Sequence, residues 1–354
     1  MGRTVVPPSW PARHRGSCIP GRFKTFRPAN FIENCIGAMS ELQLLDTPAN
    51  PLPPGAEPIA LRTADGIRLR AVSWPAAAGT TPRGRILLLQ GRAEFVEKYY
   101  ETVGTLRARG FAVVTFDWRG QGGSDRVLAD GRLGHVRHFS DFRLDYEAAL
   151  ECASGDGPLI VLAHSMGGAI ALAGAAEGWL RAEALVCINP MVGLSLVKAE
   201  PFARRLARLL AGIGLAARMV PGGVGTSIST LPFPGNRLST DPARYERNAA
   251  LAAALGTGAI GSPSIGWLVA AYEAMDALSR PSVAGSIALP VLVALSESDP
   301  VCSTPAITRL AKALPNARTL VLPGARHEIL METDAILARF WGAFDHFVSE
   351  TLQP

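Results

Sequence analysis

The sequence predicts an α/β fold, in which a mostly parallel sheet is covered by helices on both faces. Segments rich in aliphatic and β-branched residues alternate with helix-forming segments along most of the 354 residues, and this alternation is typical of parallel strands joined by helices. The strand predicted at 159–163 also runs directly into a turn of small residues and a helix at 166–177. A chain of this length can bury one large core together with an inserted module.

The predicted elements follow this alternation in chain order. The two opening strands are joined by the turn sequence Ala64-Asp65-Gly66, because aspartate and glycine favour tight turns. The predicted strands lie at 58–63, 67–74, 86–90, 112–116, 159–163, 184–188, 289–295 and 318–322. The predicted core helices lie near 96–109, 139–152 and 166–177, and a final helix ends at about residue 348.

The alternation stops after Asn189-Pro190 and resumes about ninety residues later. Residues 195–285 are therefore predicted to form a helical cap, inserted after the sixth core strand. This insertion would divide the core into a first part at 39–194 and a second part at 286–354. Insertions of this kind are expected to lie on the side of the sheet where loops carry the active site.

The cap contains two predicted helices. Residues 202–219 place Leu206, Leu209, Leu210 and Ile213 at helical spacing with arginines between them, which indicates an amphipathic helix. We expect its apolar face to pack on the core; a lid over an acyl pocket and transient contact with a membrane surface are the alternatives. A second cap helix is predicted to begin with Asp241 as N-cap and Pro242 in the first turn.

Charge is concentrated at the N-terminus. Residues 1–38 contain six arginine or lysine residues and one acidic residue, so they account for the whole formal net charge of +5. The rest of the chain is neutral, which argues against nucleic-acid binding. Residues 1–38 could be a disordered extension, an organelle-type transit peptide or a stretch that precedes the true translation start. The ordinary N-terminus that begins at Met39 favours the third.

Hydrophobicity and cysteine usage limit the cellular context. No uninterrupted apolar run approaches the roughly 20 residues of a membrane-spanning helix. The five cysteines are scattered along the chain without the spacing of a metal site. This usage favours a reducing cytoplasm, with peripheral attachment to a membrane as the alternative.

Ser165 is the candidate nucleophile, and a purely structural turn is the alternative. A strand-to-helix turn exposes a serine hydroxyl only when the residues two before and two after it are very small, and here these are Ala163 and Gly167. The usual pattern has glycine first, so Ala163 adds one methyl group. The turn would aim the Met166 amide, at a helix N-terminus, towards an oxyanion beside the serine. The ring of His164 is expected to point away from Ser165.

A serine nucleophile needs a base, and the base needs an orienting acid. Of the six histidines, His327 follows the last predicted strand and a Pro-Gly-Ala turn, so it is the candidate base. Asp299 is the candidate acid, because it ends an apolar strand just before Pro300, with Glu297 as its rival. The chain order Ser165, Asp299, His327 distinguishes this arrangement from other serine-based triads.

The second oxyanion donor is expected in the loop after an early central strand. Four apolar residues at 86–89 lead into Gln90-Gly91-Arg92, where glycine allows the backbone to approach a ligand. The Arg92 amide is the candidate donor, and an ordinary strand-end turn at Gly91 is the alternative. Asp117, which follows another strand, is interpreted as a carboxylate that braces the loop at 118–124.

These residues resemble the α/β-hydrolase superfamily. The resemblance rests on the turn around Ser165, Gln-Gly-Arg-Ala-Glu at 90–94, Phe-Asp-Trp-Arg-Gly-Gln-Gly-Gly-Ser at 116–124, Ser-Asp-Pro-Val at 298–301 and Gly-Ala-Arg-His-Glu at 324–328. It covers roughly residues 56–347. Within the superfamily, the motifs are similar to those of bacterial lysophospholipases in the monoacylglycerol-lipase-like branch. Many relatives carry His-Gly where this chain has Gln90-Gly91.

The resemblance implies hydrolysis of carboxylic esters of single-acyl-chain lipids, with Ser165, Asp299 and His327 as nucleophile, acid and base. It implies a small lipid ester as partner, with no metal and no cofactor, and leaves the oligomeric state open. The alternatives are monoacylglycerol hydrolysis, other esterase, peptidase, lactone or haloperoxidase-type turnover, and a catalytically silent ligand-binding protein. A fold by itself does not decide among these chemistries.

Overall fold

An eight-stranded sheet organises the residues that the computed structural model describes, 42–197 and 199–352. The strands are β1 (Glu57–Arg62), β2 (Arg68–Trp74), β3 (Gly84–Leu89), β4 (Phe111–Phe116), β5 (Leu159–His164), β6 (Ala184–Ile188), β7 (Val291–Ser296) and β8 (Ala317–Leu322). They lie in the order β1-β2-β4-β3-β5-β6-β7-β8. The pairs β1–β2 and β2–β4 are antiparallel, and the other neighbours are parallel. The mostly parallel sheet is confirmed, while the predicted N-terminal extension at 1–38 lies outside the described residues.

Helices cover both faces of this sheet. In the described part of the chain they are α1 (Tyr100–Ala108), α2 (Phe142–Cys152), α3 (Met166–Glu177), α4 (Glu200–Leu210), α5 (Pro242–Leu255), α6 (Ile265–Leu278), α7 (Pro281–Gly285), α8 (Thr304–Ala313) and α9 (Asp334–Thr351). Successive strand residues point to opposite faces, so Leu87 and Leu89 pack with α2, α3 and α8. Ile86 and Leu88 pack with α1 and α9. Burial on both faces explains why the central strands are continuous apolar runs.

Three of these helices, α6, α7 and α8, go beyond the predicted elements. Helix α6 begins after Ser264, whose hydroxyl accepts a hydrogen bond from the Trp267 amide at 3.1 Å. Helix α8 begins after Ser303 and carries Pro305 in its first turn. Both starts have a recognisable N-cap residue, so the signal for them was present in the sequence.

The helical insertion follows the sixth strand, as predicted. Between β6 and β7 the chain leaves the sheet and forms α4, α5, α6 and α7. Asp241 is the N-cap of α5, because its Oδ1 accepts the Arg244 amide at 2.8 Å, and Pro242 is the first helical residue. We keep 195–285 as the proposed limits of the cap.

The apolar face predicted for 202–219 is only partly covered, so the expectation that it packs on the core was wrong for part of the face: Leu206 and Leu210 are half-buried, but other members face solvent. Helix α4 ends at Leu210, and the left-handed Gly214 (φ 87°) interrupts the turn that follows. Phe202, Leu209 and Ile213 are 67%, 63% and 65% exposed. Ala207 of this helix is buried, and Arg204 bonds to Asp276 on α6 at 2.5 Å, so an apolar and a polar contact both attach the helix.

Among the residues that the structure describes, none of the helices has the combined length and apolarity needed to traverse a bilayer.

Candidate active site

Ser165 lies in a strained turn between β5 and α3. Its backbone adopts φ 50° and ψ −112°, a combination that costs energy for a residue with a side chain. Two hydrogen bonds hold it there: the Ser165 amide donates to Ile188 O at 2.9 Å, and the Met191 amide donates to Ser165 O at 2.9 Å. A Cβ at Gly167 would lie 2.5 Å from Leu89 O, so only glycine fits. The methyl group of Ala163 is fully buried.

The three predicted residues Ser165, Asp299 and His327 come together at the carboxyl ends of the parallel strands. His327 Nε2 is 3.0 Å from Ser165 Oγ, and His327 Nδ1 is 2.8 Å from Asp299 Oδ2. The other carboxylate oxygen of Asp299 accepts the amides of Val301 and Cys302 at 2.7 and 3.1 Å. A carboxylate only accepts hydrogen bonds, so Nδ1 carries the proton and Nε2 is left to accept the serine proton. Such a chain can activate a hydroxyl group.

Asn189 holds the loop that carries the histidine, and the sequence analysis did not identify it. Its Nδ2 donates to His327 O at 2.8 Å and to Ser296 Oγ at 2.8 Å. Its Oδ1 accepts the Ser296 amide at 2.9 Å. Asn189 has a φ of 41°, a conformation that asparagine tolerates better than most residues. The sequence signal was an asparagine at the end of β6, just before Pro190.

A buried cluster of charges lies behind the loop at 91–94. Glu94 accepts hydrogen bonds from the Gly91 amide, from Tyr99 Oη at 2.6 Å and from Lys98 Nζ at 2.7 Å. Lys98 Nζ also lies 2.6 Å from Glu328 Oε1. Burial by itself would lower the pKa of Lys98, but Glu328 and Glu94 outweigh it and raise that pKa. The cluster therefore connects the candidate oxyanion loop to the residue that follows His327.

His164 belongs to the same cluster. Its Nδ1 is 3.2 Å from Glu94 Oε2, and its Nε2 is 3.2 Å from His327 O. Burial would lower the pKa of the His164 imidazole, yet the Glu94 carboxylate outweighs burial and raises it. Its two ring nitrogens thus face Glu94 and the His327 carbonyl, as a ring turned away from the serine would, and the ring helps to support the base.

The two candidate oxyanion donors have free amides. In the described part of the chain, neither the Arg92 nor the Met166 amide has a hydrogen-bond acceptor. Met166 is the first residue of α3, where helix amides lack partners inside the helix. Ala93, the next residue after Arg92, has a φ of 62° and donates its amide to Gln121 Oε1 at 2.9 Å. That bond shapes the loop after β3.

One group of side chains among the described residues has its potential ligand atoms as close together as a metal site requires. Asp299, Cys302 and His327 offer ligand atoms that lie within 4.8 Å of one another. The hydrogen bonds of the serine–histidine–aspartate chain already engage the carboxylate and both ring nitrogens. Burial, together with Asp299, raises the pKa of the Cys302 thiol well above its usual range, so this residue stays a neutral thiol 3.9 Å from Ser165 Oγ.

A mainly apolar cavity of about 430 Å³ lies beside Ser165 and His327. Its apolar lining comes mostly from 191–197 and from the insertion: Met191, Leu194, Leu196, Val197, Val220, Val224, Ile228, Leu231, Trp267 and Leu268. The wall also contains polar groups, which are the side chain of Arg92 and hydroxyl groups of the insertion (Thr226, Ser227, Ser229 and Ser262). Leu209 and Ile213, which the sequence suggested for a lid, are absent from the lining in the described residues.

Comparisons with known proteins agree with this architecture. The family model described as "Serine aminopeptidase, S33" matches residues 80–334. Lysophospholipase L2 of Escherichia coli (strain K12) is 32% identical over 263 residues, which cover 71% of this chain and 76% of that protein. Probable lysophospholipase L2 of Haemophilus influenzae is 26% identical over 274 residues, which cover 75% and 84%.

Solved structures support the fold. A soluble variant of monoglyceride lipase from Saccharomyces cerevisiae, in complex with a substrate analog, has a TM-score of 0.67 at 23% identity. That match covers 83% of this chain and 95% of the lipase chain. The family model, the Escherichia coli relative and the sheet topology agree, and the chain belongs to the serine aminopeptidase S33 family of α/β-hydrolases.

Proposed function

We propose that this protein is a serine hydrolase that cleaves the carboxylic ester of single-acyl-chain lipids, with lysophospholipids as its substrate class. Monoacylglycerols are the alternative class. The proposal rests above all on the hydrogen-bonded chain from Ser165 through His327 to Asp299 beside an apolar cavity. The names of two relatives, lysophospholipase L2 and monoglyceride lipase, agree with an acyl chain as the occupant of this cavity.

The mechanism is acyl transfer. His327 Nε2 takes the proton of Ser165 as the hydroxyl oxygen attacks the ester carbonyl, and Asp299 stabilises the imidazolium that forms. The amides of Arg92 and Met166 hold the oxyanion of the tetrahedral intermediate. His327 then gives its proton to the leaving alcohol. In the second half of the reaction it activates water, which releases the fatty acid and restores the serine.

Two other functions use the same residues differently. A peptidase would match the description of the family model, but a wall that is mainly apolar suits an acyl chain better than a peptide. A silent ligand-binding protein would need no base, whereas His327 is bonded on both ring nitrogens in the geometry of a working triad. Lactone hydrolysis and haloperoxidase-type turnover are further reactions that would use the same triad.

One substrate panel separates these functions. We expect a fluorophosphonate probe to label the protein, and we expect turnover of p-nitrophenyl butyrate, a lysophosphatidylcholine and a monoacylglycerol. An aminoacyl p-nitroanilide should be turned over far more slowly. Among the described residues that line the cavity, the only carboxylates that could bind the amino group of a peptide are Glu94 and Glu328. Both already pair with Lys98, and Glu94 also pairs with His164. Absence of labelling would favour the silent protein, and preference for the anilide would favour the peptidase.

We also propose transient contact with a membrane surface through the cap. Phe202, Leu209 and Ile213 are exposed on and just after α4, and Val224 and Leu231 are exposed at 55% and 49% while also lining the cavity. Exposed apolar groups next to a lipid-binding cavity are typical of an interfacial surface.

The protein itself is proposed to reside in the reducing cytoplasm, where the buried thiols Cys187 and Cys302 stay reduced.

The membrane contact predicts an effect of two surface substitutions. Leu209→Ser combined with Ile213→Ser should lower binding to phosphatidylglycerol vesicles about tenfold or more, since each aliphatic side chain contributes roughly 1.5–3 kcal/mol on burial. Co-sedimentation measures the bound fraction. Val321→Ser on β8, which removes a comparably exposed residue (44% exposed), is the matched control. Equal binding of all three proteins would contradict the contact through α4.

A further inference from the structure

Among the described residues, no carboxylate neutralises the positive charge on the side chain of Arg92. This side chain lines the cavity, and its Nη2 donates to Gly261 O at 2.6 Å. Its guanidinium lies over the Trp267 ring, 5.1 Å from the centroid. The buried Nε has no acceptor, and within residues 42–197 and 199–352 no acidic side chain lies at ion-pair distance from Arg92.

Two buried arginines of this protein, Arg70 and Arg119, are paired with carboxylates, whereas the buried Arg107 bonds to the Pro75 carbonyl. Arg70 contacts Glu97 at 2.7 Å and Asp117 at 2.6 Å, as expected for a charge removed from water. The Arg92 guanidinium contacts the Gly261 carbonyl and the face of the Trp267 ring, neither of which is charged. Burial lowers the pKa of Arg92 to about 10. It therefore remains protonated at neutral pH while lacking a counter-ion. An anion that entered the cavity would supply one.

Hydroxyl groups in the same cavity wall add hydrogen-bonding groups to that of Arg92. Ser262 follows the Gly261 carbonyl that Arg92 contacts, and both residues line the cavity. Ser262 Oγ accepts the Val224 amide at 2.9 Å, so its hydrogen is free to donate to a ligand. Thr226 lies in the same wall. A guanidinium with nearby hydroxyl donors is well suited to a phosphate group.

The position of Arg92 relates this site to the reaction. Its amide is the proposed oxyanion donor, so its side chain starts beside the scissile ester. In a lysophospholipid, the phosphate belongs to the leaving alcohol and is separated from the ester by the glycerol unit. A guanidinium that extends from the oxyanion loop is a suitable partner at that separation, whereas a monoacylglycerol offers only a neutral hydroxyl there.

We infer that the Arg92 guanidinium, assisted by the Ser262 hydroxyl, binds the headgroup phosphate of a lysophospholipid and makes the enzyme prefer lysophospholipids to monoacylglycerols. This inference rests on the proposed ester hydrolysis at Ser165. It assigns to Arg92 two separate tasks, with the amide acting on the oxyanion and the side chain on the leaving group.

The test compares two dissolved substrates with the same short acyl chain, hexanoyl-lysophosphatidylcholine and 1-hexanoylglycerol, below their aggregation concentrations. The readout is the ratio of their kcat/KM values, which cancels any loss common to both. Arg92→Gln should lower this ratio about 10- to 100-fold, the range expected for losing a hydrogen bond to a charged group, and mainly through KM for the phospholipid. Arg92→Lys should keep part of the preference. Arg280→Gln, which removes an exposed arginine of the insertion, is the matched control.

A second measurement needs only the unmodified protein. Glycerol 3-phosphate should inhibit hydrolysis of p-nitrophenyl butyrate competitively at concentrations where glycerol does not, and inorganic phosphate shows whether the anion alone suffices. An unchanged substrate ratio in Arg92→Gln, or equal weakness of glycerol 3-phosphate and glycerol, would overturn the inference. Hydrolysis of the monoacylglycerol alone would overturn it and leave the esterase proposal standing. If neither substrate nor p-nitrophenyl butyrate is turned over, the result contradicts both the role of Arg92 and the proposed ester hydrolysis at Ser165.

Discussion

Replacement of Ser165 by alanine should lower kcat for ester hydrolysis by about 10⁴- to 10⁶-fold, the loss typical of removing the nucleophile from a triad. The hydroxyl oxygen is the atom that His327 faces at 3.0 Å, and alanine offers no atom to attack the ester. Steady-state rates on p-nitrophenyl butyrate measure the loss, and fluorophosphonate labelling should disappear with it.

The fold of Ser165→Ala should persist. The turn depends on the Ser165 backbone and on Gly167, which contacts Leu89 O too closely for any side chain, and alanine keeps both features. Thermal unfolding should therefore differ little from that of the parent protein. Substantial turnover by a folded Ser165→Ala protein would mean that another residue is the nucleophile.

Asp299→Asn should lower kcat by about 10⁴-fold, as a change from carboxylate to amide does when it imposes the wrong histidine tautomer. Asp299 Oδ2 accepts from His327 Nδ1 at 2.8 Å, and an amide nitrogen at that position would donate instead. Nε2 would then carry the proton and could no longer accept one from Ser165. Steady-state rates on a dissolved short-chain ester measure the effect.

Glu297→Gln is the matched control for the acid. Glu297 lies two residues earlier on the same loop and is exposed, whereas Asp299 is buried. Among the described residues, the Glu297 carboxylate makes no hydrogen bond to the His327 ring, so activity should stay within about twofold of the parent, as is usual for surface positions. A larger loss in Glu297→Gln than in Asp299→Asn would transfer the acid role to Glu297.

The parts of the site that could be predicted from sequence are those with a local signal. Ser165 follows an apolar strand among residues small enough for a sharp turn, and Asp299 and His327 each follow a strand at a break in the helical pattern. In a parallel sheet the carboxyl ends of neighbouring strands lie at one edge, so the three positions could be expected to converge. The mostly parallel sheet and the insertion after the sixth strand could also be predicted, because the alternation of strand-like and helix-like segments, and its interruption after Asn189-Pro190, are visible in the sequence.

Other residues have no such signal, because their contacts join distant parts of the chain. Asn189 meets the His327 carbonyl, and Lys98 meets Glu328, across separations of well over a hundred residues.

Helix α4 is a different case: its periodicity indicated an apolar face, but periodicity describes only the helix itself. Whether each residue of that face meets protein or solvent depends on the partner: Leu206 is half-buried, while Leu209 and Ile213 stay exposed.

By itself, the sequence determined the order of the strands and of most core helices, the small-residue turn at Ser165 and the family motifs, because each depends on residues close together in the chain. Only the tertiary structure decided which charges are neutralised, which apolar faces remain exposed and what lines the cavity. Arg92 illustrates the difference. Its place in the loop after β3 is readable from the sequence, but that its guanidinium has no carboxylate beside it among the described residues follows from how segments far apart in the chain fold around it.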